Sequence, residues 1–139
     1  MRRQILLDTG PLVALLDRRD RFHEWAKREL AETAPPLLTC EAVLAEACFL
    51  LSNIHQGRET VLALVQSERL QVPFRLGDEA LSVGSLLVRY QSVPISLADA
   101  CLVRMTEQYP QSQALTLDSD FRIYRRNRNP MLPVIMPES

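Results

Sequence analysis

Ile5-Leu6-Leu7-Asp8-Thr9-Gly10-Pro11-Leu12 is the stretch whose reading decides the fold. Three consecutive apolar residues predict a short buried strand with an acid at its carboxyl end. The Thr-Gly-Pro that follows turns the chain into a helix, with Thr9 as the cap and Pro11 in the first turn, where a missing N–H costs nothing. A carboxylate at the mouth of a central parallel strand stands where open α/β sheets place their chemistry. A turn or capping acid accounts for Asp8 equally well when it is taken alone.

Outward from this stretch, helices and strands alternate. A helix over 11–17 precedes the solvated turn Asp17-Arg18-Arg19-Asp20-Arg21, and an amphipathic helix follows through Phe22, Trp25, Leu30 and Ala31. Pro35-Pro36 ends it before a second strand at 37–39. From 39 to 51 runs a helix apolar on nearly every side, which implies packing on more than one face, against the sheet and against another helix or subunit. A helix over 58–67, a strand over 70–74, helices over 78–90 and 97–108 (capped by Ser96), and strands over 114–117 and 134–136 complete the series. Pro73 and the prolines flanking the last strand assign those two strands to sheet edges. Alternation without a hairpin signal predicts a three-layer α/β fold with a mostly parallel sheet. Residues 1–139, without repeat or linker, read as a single domain.

The composition excludes several classes. An apolar share of 47% with 24% charged residues is that of a globular chain, and no apolar run is long enough to span a bilayer. Asp8 interrupts the apolar patch behind Arg2 and Arg3, which speaks against a secretory signal. Cys40, Cys48 and Cys101 lack CxxC spacing and read as buried free thiols of a reducing cytoplasm. With a net charge of −1, the molecule is no polycation. Binding to nucleic acid would need a local patch, or metal ions bridging acids to phosphate. His23 and His55 have no partner at ligand spacing and read as surface residues. Tyr90, Tyr109, Tyr124 and Trp25 are scattered and form no stacking platform.

The acids carry more information. Glu46 lies within the apolar helix, where an ionised group is costly unless a cation or donor meets it. Glu41 stands about 140° away around the same helix and is explained by the helix dipole. Asp99 follows Ser96 at capping-box spacing. A helix that feeds a parallel strand nevertheless starts at the sheet edge where strands end, so Asp99 arrives beside Asp8 even as a cap. Asp118 closes the fourth strand as Asp8 closes the first, with an Asx turn as the plainer account and Asp120 as a competing cap. Carboxylates converging at one edge repel each other unless cations neutralise them. Oxygen-only ligation suits Mg2+ or Mn2+ and not Zn2+.

The order strand-Asp8-Thr9, Thr39-x-x-x-Val43-x-x-Glu46, Ser96-Leu-Ala-Asp99-Ala and Thr116-Leu-Asp118-Ser-Asp120-Phe resembles the PIN-domain ribonucleases, and among them the VapC-type toxins of bacterial toxin–antitoxin pairs. The likeness runs from Ile5 to about Ile135. It implies a parallel sheet of order 3-2-1-4-5 and a metal-binding acidic pocket of Asp8, Glu46, Asp99 and Asp118. Thr9 and Thr116 would line that pocket, with Asp120 a more distant support. The implied activity is Mg2+- or Mn2+-dependent hydrolysis of RNA phosphodiesters, with a small antitoxin protein as partner. The apolar helices suggest a homodimer. Arg122, Arg125, Arg126 and Arg128 form a basic run that either holds RNA phosphates or is a solvated face. Two other classes compete: a phosphoacceptor signalling domain, which wants a late lysine where this chain has only Lys27 in an early helix, and a PIN-like protein-binding scaffold.

Overall fold

The computed structural model describes residues 1–126 and 131–138. In chain order the elements are β1 (Ile5–Leu7), α1 (Thr9–Leu16), α2 (His23–Ala31), β2 (Leu37–Leu38), α3 (Glu41–Leu50) and α4 (Gly57–Gln66). They continue with β3 (Leu70–Gln71), α5 (Leu76–Arg89), α6 (Leu97–Gln108), β4 (Gln113–Leu115), a 3-10 turn (Ser119–Arg122) and β5 (Val134–Ile135). The five strands form one sheet in the order β3-β2-β1-β4-β5, and every pairing is parallel. The fold is therefore the α/β architecture expected, with the proline-marked strands outside and β1 in the middle.

Side-chain alternation along β1 feeds two cores. Leu6 joins the cluster of Val83, Leu86 and Leu102 on the face covered by α5 and α6. Ile5 and Leu7 point the other way, into Leu12, Val61 and Leu70 beneath α1 and α4. All three β1 side chains are essentially inaccessible, each worth about 1.5–3 kcal/mol of burial, which explains an apolar run without polar alternation. α3 serves both cores, with Val43 in the first and Ala47 and Leu51 in the second. It thus packs on more than one face, as its composition predicted, although Ala45, Phe49 and Leu50 stay exposed. Across α5 and α6, Arg104 donates to Glu79 (2.5 Å) and to Glu107 (3.0 Å).

Element ends differ from expectation for local reasons. α3 starts at Glu41 and not at Thr39, because Thr39 still belongs to the extended chain. Its N–H donates to the Gln71 carbonyl and its hydroxyl to the Leu7 carbonyl (2.7 Å). β3 stops at Gln71, ahead of Pro73, which has no N–H to give a ladder, and Phe74 turns into the core. β4 and β5 end at Leu115 and Ile135, short of the expected 117 and 136. α4 and α5 begin one and two residues earlier than predicted. His23 is not a surface residue: half-buried, its Nδ1 lies 2.7 Å from the Ala14 carbonyl and ties α2 to α1. Cys40 and Cys101 are buried free thiols as expected, whereas Cys48 is only half-buried. Among the described residues no helix is long and apolar enough to cross a membrane.

Candidate active site

Asp8 is the N-cap of α1, and this corrects the expectation that Thr9 would cap it. Asp8 Oδ1 accepts the Thr9 N–H (2.8 Å), so the helix begins two residues before Pro11. Its own N–H continues the β1–β4 ladder by donating to the Leu115 carbonyl (3.0 Å), which fixes the Cα at the sheet edge. The second carboxylate oxygen, Oδ2, accepts the Thr116 hydroxyl at 2.6 Å. That hydroxyl in turn accepts the Asp118 N–H at 2.9 Å. One buried threonine thus joins the acid after β1 to the acid after β4.

Asp118 caps the 3-10 turn by accepting the Asp120 N–H on Oδ1 (2.9 Å). Asp99 sits in the first turn of α6, where Ser96 Oγ accepts its N–H (3.0 Å), the capping pattern read from the sequence. The Asp99 carboxylate does not cap anything. It turns aside and accepts the Tyr124 hydroxyl on Oδ2 at 3.1 Å. Three of the four acids thus stand at or near helix starts, where orphan N–H groups favour negative charge. The capping and site readings of these residues describe the same placement.

Glu46 departs from expectation. It is exposed and not held inside an apolar helix, so desolvation does not explain it. Its Oε1 accepts the Thr9 hydroxyl at 2.9 Å, which draws it to the rim of the same cleft. Asp8, Thr9, Gly10, Glu46, Ser96, Asp99 and Asp118 line that cleft, about 390 Å³ in volume, together with Pro94 and Leu117. A larger cavity, about 500 Å³, lies at the opposite strand ends between Arg3, Gln4, Pro35, Pro36 and Gln111, away from the acids. Gly10 permits a close approach across the cleft: a Cβ there would stand 3.1 Å from Leu117 Cβ, next to Asp118.

The electrostatics show what the gathering costs. Burial pushes the Asp8 carboxyl above its ordinary value, the Thr116 and Thr9 hydrogen bonds oppose this, and the Asp118 and Glu46 charges add to the rise. Asp99 is pushed up to about 6 by burial and then by the Asp8 charge, against the hydrogen bond from Tyr124. Burial, with the Asp99 charge behind it, also raises the Tyr124 phenol, which stays a proton donor throughout the physiological range.

The supporting candidates divide. Thr9 and Thr116 both bond directly to site carboxylates. Asp120 contributes its backbone N–H to Asp118, and its side chain does not line the cleft. Arg125 donates from Nη1 to the carbonyls of Arg122, Ile123 and Tyr124 at 2.7–3.0 Å. Arg126 Nη1 reaches the Pro110 carbonyl (2.9 Å), just past the end of α6. These two guanidinium groups hold backbone together, while Arg122 is exposed. Arg128 lies outside the described residues. Lys27 is on α2, 3.8 Å from Glu24 and away from the cleft. Sequence reasoning missed Tyr124, which it took for one of several scattered aromatics. Its ring is fully buried, edge-on to Tyr90 (5.1 Å) and Phe121 (5.2 Å).

The donor set fits a hard divalent cation by chemistry and not by a preformed cage. The cleft offers carboxylates and hydroxyls and no histidine or cysteine. Among the described residues, no three Asp, Glu, His or Cys side chains are gathered at ligating distance. Each acid is turned toward a protein donor instead, with lone pairs left over.

A family model for the PIN domain matches residues 5–127. No curated protein matches the chain. Among solved structures it is similar to Mycobacterium tuberculosis VapC20, described as a sarcin-ricin loop cleaving toxin. The identity is 26% and the TM-score 0.76, over 84% of this chain and 92% of that one.

Proposed function

Because the chain belongs to the PIN-domain family, we propose that it is a metal-dependent endoribonuclease of the VapC type. The observation that carries this reading is the meeting of Asp8, Glu46, Asp99 and Asp118, far apart in sequence, around one cleft at the carboxyl ends of β1 and β4. Asp8, Asp99 and Asp118, with Glu46 assisting at the rim, would hold Mg2+ or Mn2+. A cation bound there supplies a more acidic water and stabilises charge on the attacked phosphate and the leaving oxygen. The residues of the chain do the rest. The Thr116 hydroxyl and the Thr9 N–H hold both Asp8 oxygens, and each oxygen keeps a lone pair that a cation could take. Thr9 holds Glu46 at the rim, and Arg122, exposed and beyond Asp118, would be available to an RNA phosphate.

The deciding experiment incubates the protein with single-stranded and structured RNA, with Mn2+, with Mg2+ and with a chelator. Cleavage that needs the cation is the expected result. A protein that leaves both RNAs intact in every arm overturns the reading in favour of a scaffold. Incorporation of phosphate from a small phosphodonor, without nuclease activity, would favour the phosphoacceptor class. The toxin description of VapC20 supports a search for a small antitoxin, whose addition would suppress the same cleavage.

A homodimer is part of the proposal. Phe49 and Leu50 on α3 are 78% and 58% exposed, an apolar area beside Glu46 that a second subunit would cover. Light scattering should return twice the chain mass, and Phe49→Glu should return it to one.

A further inference from the structure

We propose that Tyr124 is a positioning residue for the site: its hydroxyl sets the orientation of Asp99 toward the cation, an inference that rests on the nuclease reading above. The ring is fully buried, so the hydroxyl must find a partner inside the protein, and that partner is Asp99 Oδ2 at 3.1 Å. Asp99, itself only 8% exposed, needs a donor for the same reason. A phenylalanine would keep the edge contacts to Tyr90 and Phe121 and fill the same space. The hydroxyl is thus the part of Tyr124 that packing does not require.

The surroundings hold that hydroxyl still. Tyr90 presents its ring to Tyr124 and accepts the Arg125 N–H on its own hydroxyl at 2.8 Å. Arg125 closes back on the carbonyls of residues 122 to 124. The segment from Asp118 to Arg125 consequently does two things. It carries one acid itself and, six residues on, steers another that belongs to α6. Tyr124 on Oδ2 and the Ser96 hydroxyl both meet the Asp99 carboxylate, whose remaining lone pairs are left for a ligand. Groups that orient metal ligands in this way typically change affinity by roughly 10–100-fold when removed.

The test compares the parent, Tyr124→Phe and Tyr90→Phe for Mn2+ binding by electron paramagnetic resonance, thermal melting and RNA cleavage across a Mn2+ series. The expected result is a Mn2+ dissociation constant weaker by roughly 10–100-fold in Tyr124→Phe, with a melting temperature close to the parent's and cleavage recovered at high Mn2+. Tyr90→Phe removes only the acceptor of the Arg125 N–H and leaves the Tyr124–Asp99 bond in place, so it should weaken Mn2+ binding less than Tyr124→Phe does. Parental Mn2+ affinity in Tyr124→Phe overturns the proposal. So does a melting temperature lowered by more than about 10 °C without rescue by Mn2+, which would mark the hydroxyl as structural. A parent that neither binds Mn2+ nor cleaves RNA removes the nuclease reading and this inference together. A parent that does both, alongside an unaffected Tyr124→Phe, removes this inference alone.

Discussion

Asp8→Asn is expected to lower cation-dependent RNA cleavage by at least about 10³-fold, or about 4 kcal/mol of transition-state stabilisation, with the fold retained. Asparagine keeps the shape of a side chain that is 5% exposed and bonded on both oxygens. Its carbonyl can still accept the Thr9 N–H, and its amide must then face the Thr116 hydroxyl, which already accepts from Asp118. One bond of that relay is strained while one repelling charge disappears. The two effects oppose each other, and the net change in stability should stay within about 1 kcal/mol. Circular dichroism melts and cleavage of a labelled RNA, run on the same preparation, separate loss of chemistry from loss of fold. Undiminished cleavage would place the chemistry elsewhere in the molecule.

The second large effect is on stability, and its sign is opposite to that of an ordinary salt-bridged acid. The Asp99 carboxyl moves from 3.8 to about 6 in the folded chain. The folded state then binds the proton more tightly than the unfolded one. The stability this contributes is fully present below the unfolded value and is lost as pH rises through about 6. At neutral pH the metal-free protein holds an anion among anions. Asp99→Asn should therefore melt higher than the parent there, by on the order of 1–2 kcal/mol or roughly 3–8 °C. The gap should close as pH falls toward 4, within the window set by 3.8 and about 6. Adding Mn2+ should reverse the ranking, since binding to the folded parent stabilises it by mass action and the variant has lost a ligand. Calorimetric scans over this pH range check it. A variant that melts at or below the parent at every pH would show that the Asp99 charge is not held against the fold.

Much of this was legible from residue order because it depends on local rules. The Ile5-Leu6-Leu7 run could be buried on both faces only in a central parallel strand, and Pro73 and the prolines around Val134 could be accommodated only at edges. Ser96 and Asp99 announced a helix start by spacing alone, and α6 begins where they place it. What was not legible depends on which side chain meets which at long range. Glu46 was singled out by an argument about burial, yet it is exposed and is tied to the site by Thr9, a contact across 37 residues of chain. Residue order also gives no sign that Nη1 of Arg125 and of Arg126 bonds to backbone carbonyls. Tyr124 belongs to no motif, and only the path of the 3-10 turn brings its hydroxyl to an acid 25 positions earlier.

The contact between Gly10 and Leu117 has a consequence for how such a pocket is assembled. Because Gly10 has no side chain, the first turn of α1 packs closely on the Leu117 side chain just ahead of Asp118, and this packing brings the segments that carry Asp8 and Asp118 together. The mutual aversion of these two anions is therefore accepted when the chain folds, before any ion arrives. A methyl group at position 10 would have to displace Leu117, so the closeness of the two acid-bearing segments depends on a side chain that is missing.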